Sequence, residues 1–259
     1  MEGLAETPRD MRPWLQVLSA LVLGIALVVT AIITTQSIDY IKTFNTSLLN
    51  VTGEAQMDVT SNQVKWTGNF FVNAQPTQLQ PAYAQMKKDA AAVNSFLTGK
   101  GVPAADITIS PVSMNQIFAN CAQQPGICGK FNIAGYRLSQ MVTVQSSNVQ
   151  GITKIASDTT PLIDQGVSFS TQNLAYYYTK LASLRAKMIA EATSEAQARA
   201  KQIAAATGRQ IGQLVSVREE PLQLTSLNSP SVSNGGQYST STIQKQLTAI
   251  VQAQFRLPQ

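Results

Sequence analysis

Histidine is absent from these 259 residues, which removes Ser-His-Asp triads, Cys-His pairs, imidazole metal ligands and imidazole pH switching together. Cysteine occurs twice, as Cys121 and Cys128, too few for a thiolate zinc site and not at the CxxC spacing of a redox motif. Charge is scarce as well: Asp, Glu, Lys and Arg make up 13% of the chain, against about 25% in ordinary soluble domains. A membrane segment and large subunit interfaces would both account for the deficit. The net charge is +5, but the basic residues are scattered and form no run longer than Lys87-Lys88, so nucleic acid is not an expected partner.

No Gly-rich phosphate loop, metal-ligand spacing or nucleophile elbow is present. The carboxylates Asp58, Asp89, Asp106, Asp158, Asp164, Glu191, Glu195, Glu219 and Glu220 are spread over helix faces and loop edges. None stands in a context that would raise a pKa for acid–base work, and together they read as solvated surface. The sequence therefore yields no catalytic, cofactor-binding or metal-binding residue and implies no cofactor.

What the chain does have is one long apolar run. From Pro13 to Ile38 there is no charged residue, and Trp14 to Ile33 is a stretch of twenty residues that as a helix spans roughly 30 Å, the thickness of a hydrocarbon core. Trp14, Leu21, Leu23, Ile25, Leu27, Val29 and Ile32 are the expected membrane anchor. A secretory signal has a shorter apolar stretch and a small-x-small cleavage site, whereas TTQSIDY follows Ile33 here, so a retained helix is expected over a cleaved one. Arg9 and Arg12 precede the run and Lys42 is the first basic residue after it, which keeps the N-terminus cytoplasmic.

The expected layout is a cytoplasmic N-terminus at 1–13, a transmembrane helix at 14–36, a tether at 37–50 and a periplasmic domain at 51–259, in a single-pass inner-membrane protein. In that oxidising compartment Cys121 and Cys128 can form a disulfide across their loop, worth on the order of 2.5 kcal/mol. Two free buried thiols are the other reading.

Along the exported part, Val51 to Asn73 alternates in two runs around Ser61-Asn62 and reads as a β-hairpin. Leu79, Tyr83, Met86, Ala90, Val93 and Leu97 recur at helical spacing until Gly99 and Gly101. Two β-rich runs, Ile107 to Phe118 and Tyr136 to Val144, flank the cysteine-bearing tip. A helix over Val149 to Leu162 and a strand over Val167 to Tyr178 follow. The longest helix carries Leu181, Leu184, Met188, Ala192, Ala196, Ala200 and Ile203 as its packing stripe and stops at Gly208. Strands at Gln213–Glu219 and Leu247–Leu257 close the chain. Between them residues 221–243 form a long polar loop without periodicity, mobile or ordered by a partner. The fold class expected is α+β, an antiparallel sheet with helices packed on one face.

Three segments carry a family resemblance: the opening VTGEAQMDVTSNQVKWTGNF, the strand GYRLSQMVTV, and the Ala-rich helix running into KQIAAATGRQIGQLVSVREE. In order and spacing the chain resembles the SIMPL-domain family, the YggE-like group of bacterial envelope proteins, over roughly Asn50 to Leu257. It departs from the family pattern at Gln56, in place of a second glycine, and at Ser61-Asn62, in place of a Pro-Asp pair. The resemblance implies an envelope protein linked to stress tolerance, without an established catalytic site, in a family where some members assemble into ring-like or cage-like homo-oligomers.

Tyr176, Tyr177 and Tyr178 are the one unusual aromatic cluster, placed either at a subunit interface or at the edge of the core. The function expected is a non-enzymatic, membrane-anchored assembly whose partners are copies of itself and membrane lipid. The alternative is a monomeric or dimeric periplasmic binding module that captures a peptide, lipid or partner protein through the 221–243 loop and an exposed sheet edge.

Overall fold

Strands of alternating side chains build two sheets where the sequence suggests one. The computed structural model describes residues 13–46, 48–118, 133–229 and 235–258; Cys121 and Cys128, and the disulfide expected between them, lie outside the described residues. The chain is an α+β fold of five helices and nine strands among those residues, and its sheets are built on antiparallel pairs. It divides into two units, a larger one of Gly53–Glu195 with Glu219–Val251 and a smaller one of Met1–Thr52, Ala196–Arg218 and Gln252–Gln259.

In the larger unit, strand β1 (Leu48–Thr60) turns at Ser61 and Asn62 into β2 (Gln63–Ala74). Strand β2 is central in a five-stranded sheet of order β3-β5-β2-β6, with β4 also paired to β5. The members are β3 (Ile107–Ile109), β4 (Ser113–Phe118), β5 (Ile133–Ser146) and β6 (Phe169–Tyr177). The single run expected over 107–118 is split at Pro111, which has no N–H to give to a ladder.

The even-numbered residues of β2 face the core. Val64, Trp66 and Phe70 are all but fully buried against Met86, Val93 and Leu97 of helix α2 (Leu79–Gly99) and Ile152 of helix α3 (Val149–Ser157). Burying each of the larger side chains contributes about 1.5–3 kcal/mol. The Trp66 indole N–H donates to Thr171 Oγ1 at 3.3 Å, so its polar atom is satisfied. Helix α2 stops as the glycines suggest: Gly101 takes φ +86° and the Val102 N–H closes onto the Leu97 carbonyl at 3.0 Å.

The helix expected over Val149 to Leu162 is two. Helix α3 ends at Ser157 and a short α4 (Thr160–Asp164) carries Pro161 in its first turn, where a missing N–H is tolerated but continuation of the preceding helix is not. The same unit holds a second cluster, with Ala55 and Val59 of β1, Leu224 of β8 (Gln223–Ser226) and Leu247, Ala249 and Val251 of β9 (Gln244–Arg256) packed on Met188 and Ala192 of α5 (Leu181–Ala206).

In the smaller unit β9 lies between β1 and β7 (Leu214–Glu219). Val51, Ala253 and Phe255 bury against Ala196 and Ala200 of α5. Helix α1 (Pro13–Thr46) continues through most of the residues expected as a tether, and β1 begins at Leu48. The anchor residues Trp14, Leu21, Leu23, Ile25, Leu27, Val29 and Ile32 are all exposed, 49–70%. Among the described residues no helix is long and apolar enough to cross a membrane.

Candidate interaction surfaces

Two features of the sequence, the tyrosine triplet and the long polar loop, meet in the larger unit. Residues of β6 alternate, so Tyr176 points into the core and is 7% exposed. Its phenol and the Thr153 hydroxyl on α3 are hydrogen-bonded at 3.1 Å. Tyr176 is thus a core-edge residue, while Tyr177 lies on the opposite face of the sheet and Tyr178 sits half-buried against the second cluster.

The segment expected as a loop at 221–243 contains strand β8, paired with β9, and backbone bonds hold its other described residues. The Leu224 N–H donates to the Gln237 carbonyl and the Ser239 N–H to the Leu224 carbonyl, both at 2.7 Å; Tyr176 N–H reaches Thr240 and Ser61 N–H reaches Ile243. Lys245 fastens it from beneath. This lysine is 0% exposed, and its ammonium donates to the carbonyls of Ser239 at 2.8 Å and Thr242 at 2.5 Å. Burial lowers its pKa from the usual 10.5.

Above that staple, the Tyr238 phenol accepts from the Tyr178 N–H at 3.0 Å and donates to the Tyr178 carbonyl at 2.9 Å. Its ring lies 6.3 Å from that of Tyr177, tilted by 31°. Asn62 locks the neighbouring turn, its Oδ1 accepting from Thr179 N–H at 2.9 Å. The result is a cleft of about 410 Å³ walled by Tyr177, Tyr178, Thr179 and Tyr238 and floored by Gln63, Lys65 and Gln145.

This cleft is one end of a longer face. The odd-numbered residues of β2 point away from α2 and α3, and the register sets them in cross-strand rows. Lys65 has Gln145 on one side and Ala175 on the other; Thr67 has Thr143 and Asn173; Asn73 has Arg137. Thr108 of β3 extends the threonine row. At the far end the Arg137 guanidinium stacks 4.5 Å above the Phe71 ring and donates to Asn73 Oδ1 at 3.0 Å. Among the described residues of β2, β5 and β6, no carboxylate stands on this face.

A different kind of surface is the edge strand β7 of the smaller unit. Its first five residues are exposed, and Leu214, Val215 and Val217 are 45%, 42% and 44% exposed. Strand β4 is a second exposed edge, with Met114 and Phe118 uncovered. Not all of the carboxylates are the solvated surface expected of them. Asp89 is buried and accepts from Gln85 Nε2 at 2.8 Å, Glu195 accepts from the Glu54 N–H at 3.2 Å, and Glu219 pairs with Arg185 at 2.7 Å. A further cleft of about 500 Å³ between the end of α2 and α3 brings Lys100, Lys154 and Asp158 to its walls.

Sequence reasoning missed Lys245 and Tyr238. Lys245 had a usable signal, because the buried alternation Leu247, Ala249, Val251, Ala253 and Phe255, carried back by one step, lands on it. Tyr238 had none, since it sits in an aperiodic segment.

Comparison with curated proteins finds no match. Among solved structures, a hydantoinase/carbamoylase family amidase from Burkholderia ambifaria is similar at 15% identity over 53% of this chain, with a TM-score of 0.24. The similarity takes in 35% of that protein's length and is too slight to bear on fold or activity. The family profile described as SIMPL, protein of unknown function (DUF541), matches residues 49–255, nearly everything after α1, and the chain therefore belongs to the SIMPL family.

Proposed function

We propose that this chain is a non-enzymatic envelope protein, held in the inner membrane by α1 with its N-terminus cytoplasmic and its main part periplasmic, whose copies assemble into a ring- or cage-like homo-oligomer. The observation that carries the assembly is β7. An unpaired edge strand offers a row of free N–H and C=O groups, and native proteins protect such edges with charge, proline or a covering element. Here Leu214, Val215 and Val217 put apolar side chains on both faces of the edge, which is the chemistry of a strand that another strand or surface covers. A second copy of the chain is the occupant: anchored copies share one plane, where their effective concentration is high.

The anchor rests on the twenty-residue run from Trp14 to Ile33. The hydroxyls of Thr30 and Thr34 support it, because they donate to the carbonyls of Ala26 and Thr30 at 2.7 Å, so neither would carry an unpaired proton into hydrocarbon. Pairing of Cys121 with Cys128 and a role in stress tolerance belong to the same reading.

The test is the mass of the detergent-solubilised particle for wild type and for Val215→Lys with Val217→Lys. The expected result is a large uniform particle that the double variant reduces to a far smaller one, with circular dichroism unchanged. A monomeric wild type, or a variant of undiminished mass, refutes the proposal.

A further inference from the structure

We infer that the uncovered face of the five-stranded sheet, with the tyrosine cleft at its end, binds an acidic glycan: an extended polymer of sugar rings bearing carboxylates. The inference is independent of assembly through β7, because the face and the edge lie on different strands.

Charge selects the sign of the ligand. Lys65 and Arg137 are the cations on this face, and no carboxylate stands there among the described residues. The Lys65 ammonium forms no ion pair among the described residues. Two cations on a face without acids favour an anion and disfavour a cation or a zwitterion.

Spacing selects a polymer. Arg137 lies opposite Asn73, eight residues along β2 from Lys65, a separation of roughly 26 Å. No small molecule reaches both. The floor between them carries hydroxyls and amides, with Thr108, Thr143, Thr67 and Asn173 in one row and Asn69 in the next, where its cross-strand neighbour is the exposed Met141. Each of these hydroxyls and amides both donates and accepts, which matches the hydroxyls of sugars.

Aromatic faces complete the match. A sugar ring has an apolar C–H face that packs on a π surface, and Tyr combines such a surface with a polar tip. Tyr177 and Tyr238 offer that surface 6.3 Å apart. Tyr238 is fixed in place by both its hydrogen bonds to Tyr178, so little rotamer freedom remains to be lost on binding. Single-stranded nucleic acid fits less well, because successive bases call for aromatic platforms along the whole groove, and here the Tyr177 and Tyr238 rings stand together at one end.

The experiment uses the full-length chain in mild detergent, titrated with a fluorescent oligogalacturonate, a neutral dextran oligomer of similar length and a single-stranded oligonucleotide of similar charge. Expected is saturable binding of oligogalacturonate, at least tenfold weaker binding of the other two, and a tenfold or greater loss for Lys65→Glu and for Tyr177→Ala. Lys87→Glu, the same charge change on the exposed surface of α2, is the control and leaves affinity within about twofold. Melting temperatures establish that each variant is folded; should Tyr177→Ala fail to fold, Lys65→Glu against Lys87→Glu decides. No binding of oligogalacturonate by wild type, tighter binding of the oligonucleotide, or equal effects of the two lysine variants overturns the inference.

Discussion

The phenol of Tyr238 takes the N–H of Tyr178 and returns its own proton to the carbonyl of the same residue. One side chain thus does for Tyr178 what a neighbouring strand would do, and it pins a polar part of the loop to the end of β6.

Tyr238→Phe keeps the ring and removes both bonds. The expected cost is about 1–2 kcal/mol, toward the lower end because Tyr238 is 42% exposed and water can replace part of what is lost. Urea unfolding measures the cost, and faster hydrogen exchange at the Tyr178 amide localises it; an unchanged exchange rate there would mean the bonds do not hold the loop.

Lys245 makes stability depend on pH with a definite sign. Its pKa in the folded chain lies below 10.5 because burial strips water from the ammonium. Between that lowered value and 10.5 the unfolded chain still holds a proton that the folded chain has released, so stability rises with pH across this window. Below the window both states are protonated and the cost of burial is constant; above it the cost is gone. Subtracting the unfolding free energy of Lys245→Met from that of wild type between about pH 8 and 11 should give a rising curve. A flat difference would show that Lys245 titrates normally.

Gly68 sits where β2 shifts register against β6, and a Cβ there would come within 2.2 Å of the Phe169 ring. Gly68→Ala should cost about 1–3 kcal/mol by overpacking. Phe169→Leu in the same chain should recover part of that loss, and a double-mutant cycle gives the coupling. Purely additive effects would place the strain elsewhere.

In the smaller unit, Ala200 is fully buried beside Ala253 and Phe255. Ala200→Leu inserts three carbons into this contact and should lower stability by about 1–3 kcal/mol or more, whereas Ala200→Ser should be far milder. Thermal unfolding of the two variants ranks them, and an equal effect would argue against close packing.

Much of the architecture is legible in residue spacing. The turn at Ser61-Asn62, the buried Met86, Val93 and Leu97 of α2, the alanine face of α5 and the alternation of β9 appear where hydrophobic period places them, whereas Tyr83 and Ile203, expected in the two helix stripes, are 45% and 41% exposed. Period assigns a strand its buried face but not its neighbour, which is why one sheet was expected and two are found. The breaks at Pro111 and Pro161 follow from missing donors that a count of apolar residues overlooks. Loop order was illegible for a related reason: it comes from the Lys245 ammonium and backbone carbonyls, and neither leaves a trace in hydropathy. Of the interaction surfaces, the Tyr triplet was conspicuous, but its partner Tyr238 lies about sixty residues away in sequence and is joined to it by folding alone.

The alanines of α5 carry a consequence for how this fold forms and drifts. Ala192, Ala196, Ala200 and Ala204 are each at most 1% exposed, and an alanine has no rotamers to surrender. This stretch of the helix therefore docks with almost no loss of side-chain freedom. Inherited variation along this seam has little room, since any larger group collides and glycine forfeits helicity. Substitutions should accumulate instead on the outward turns of the same helix.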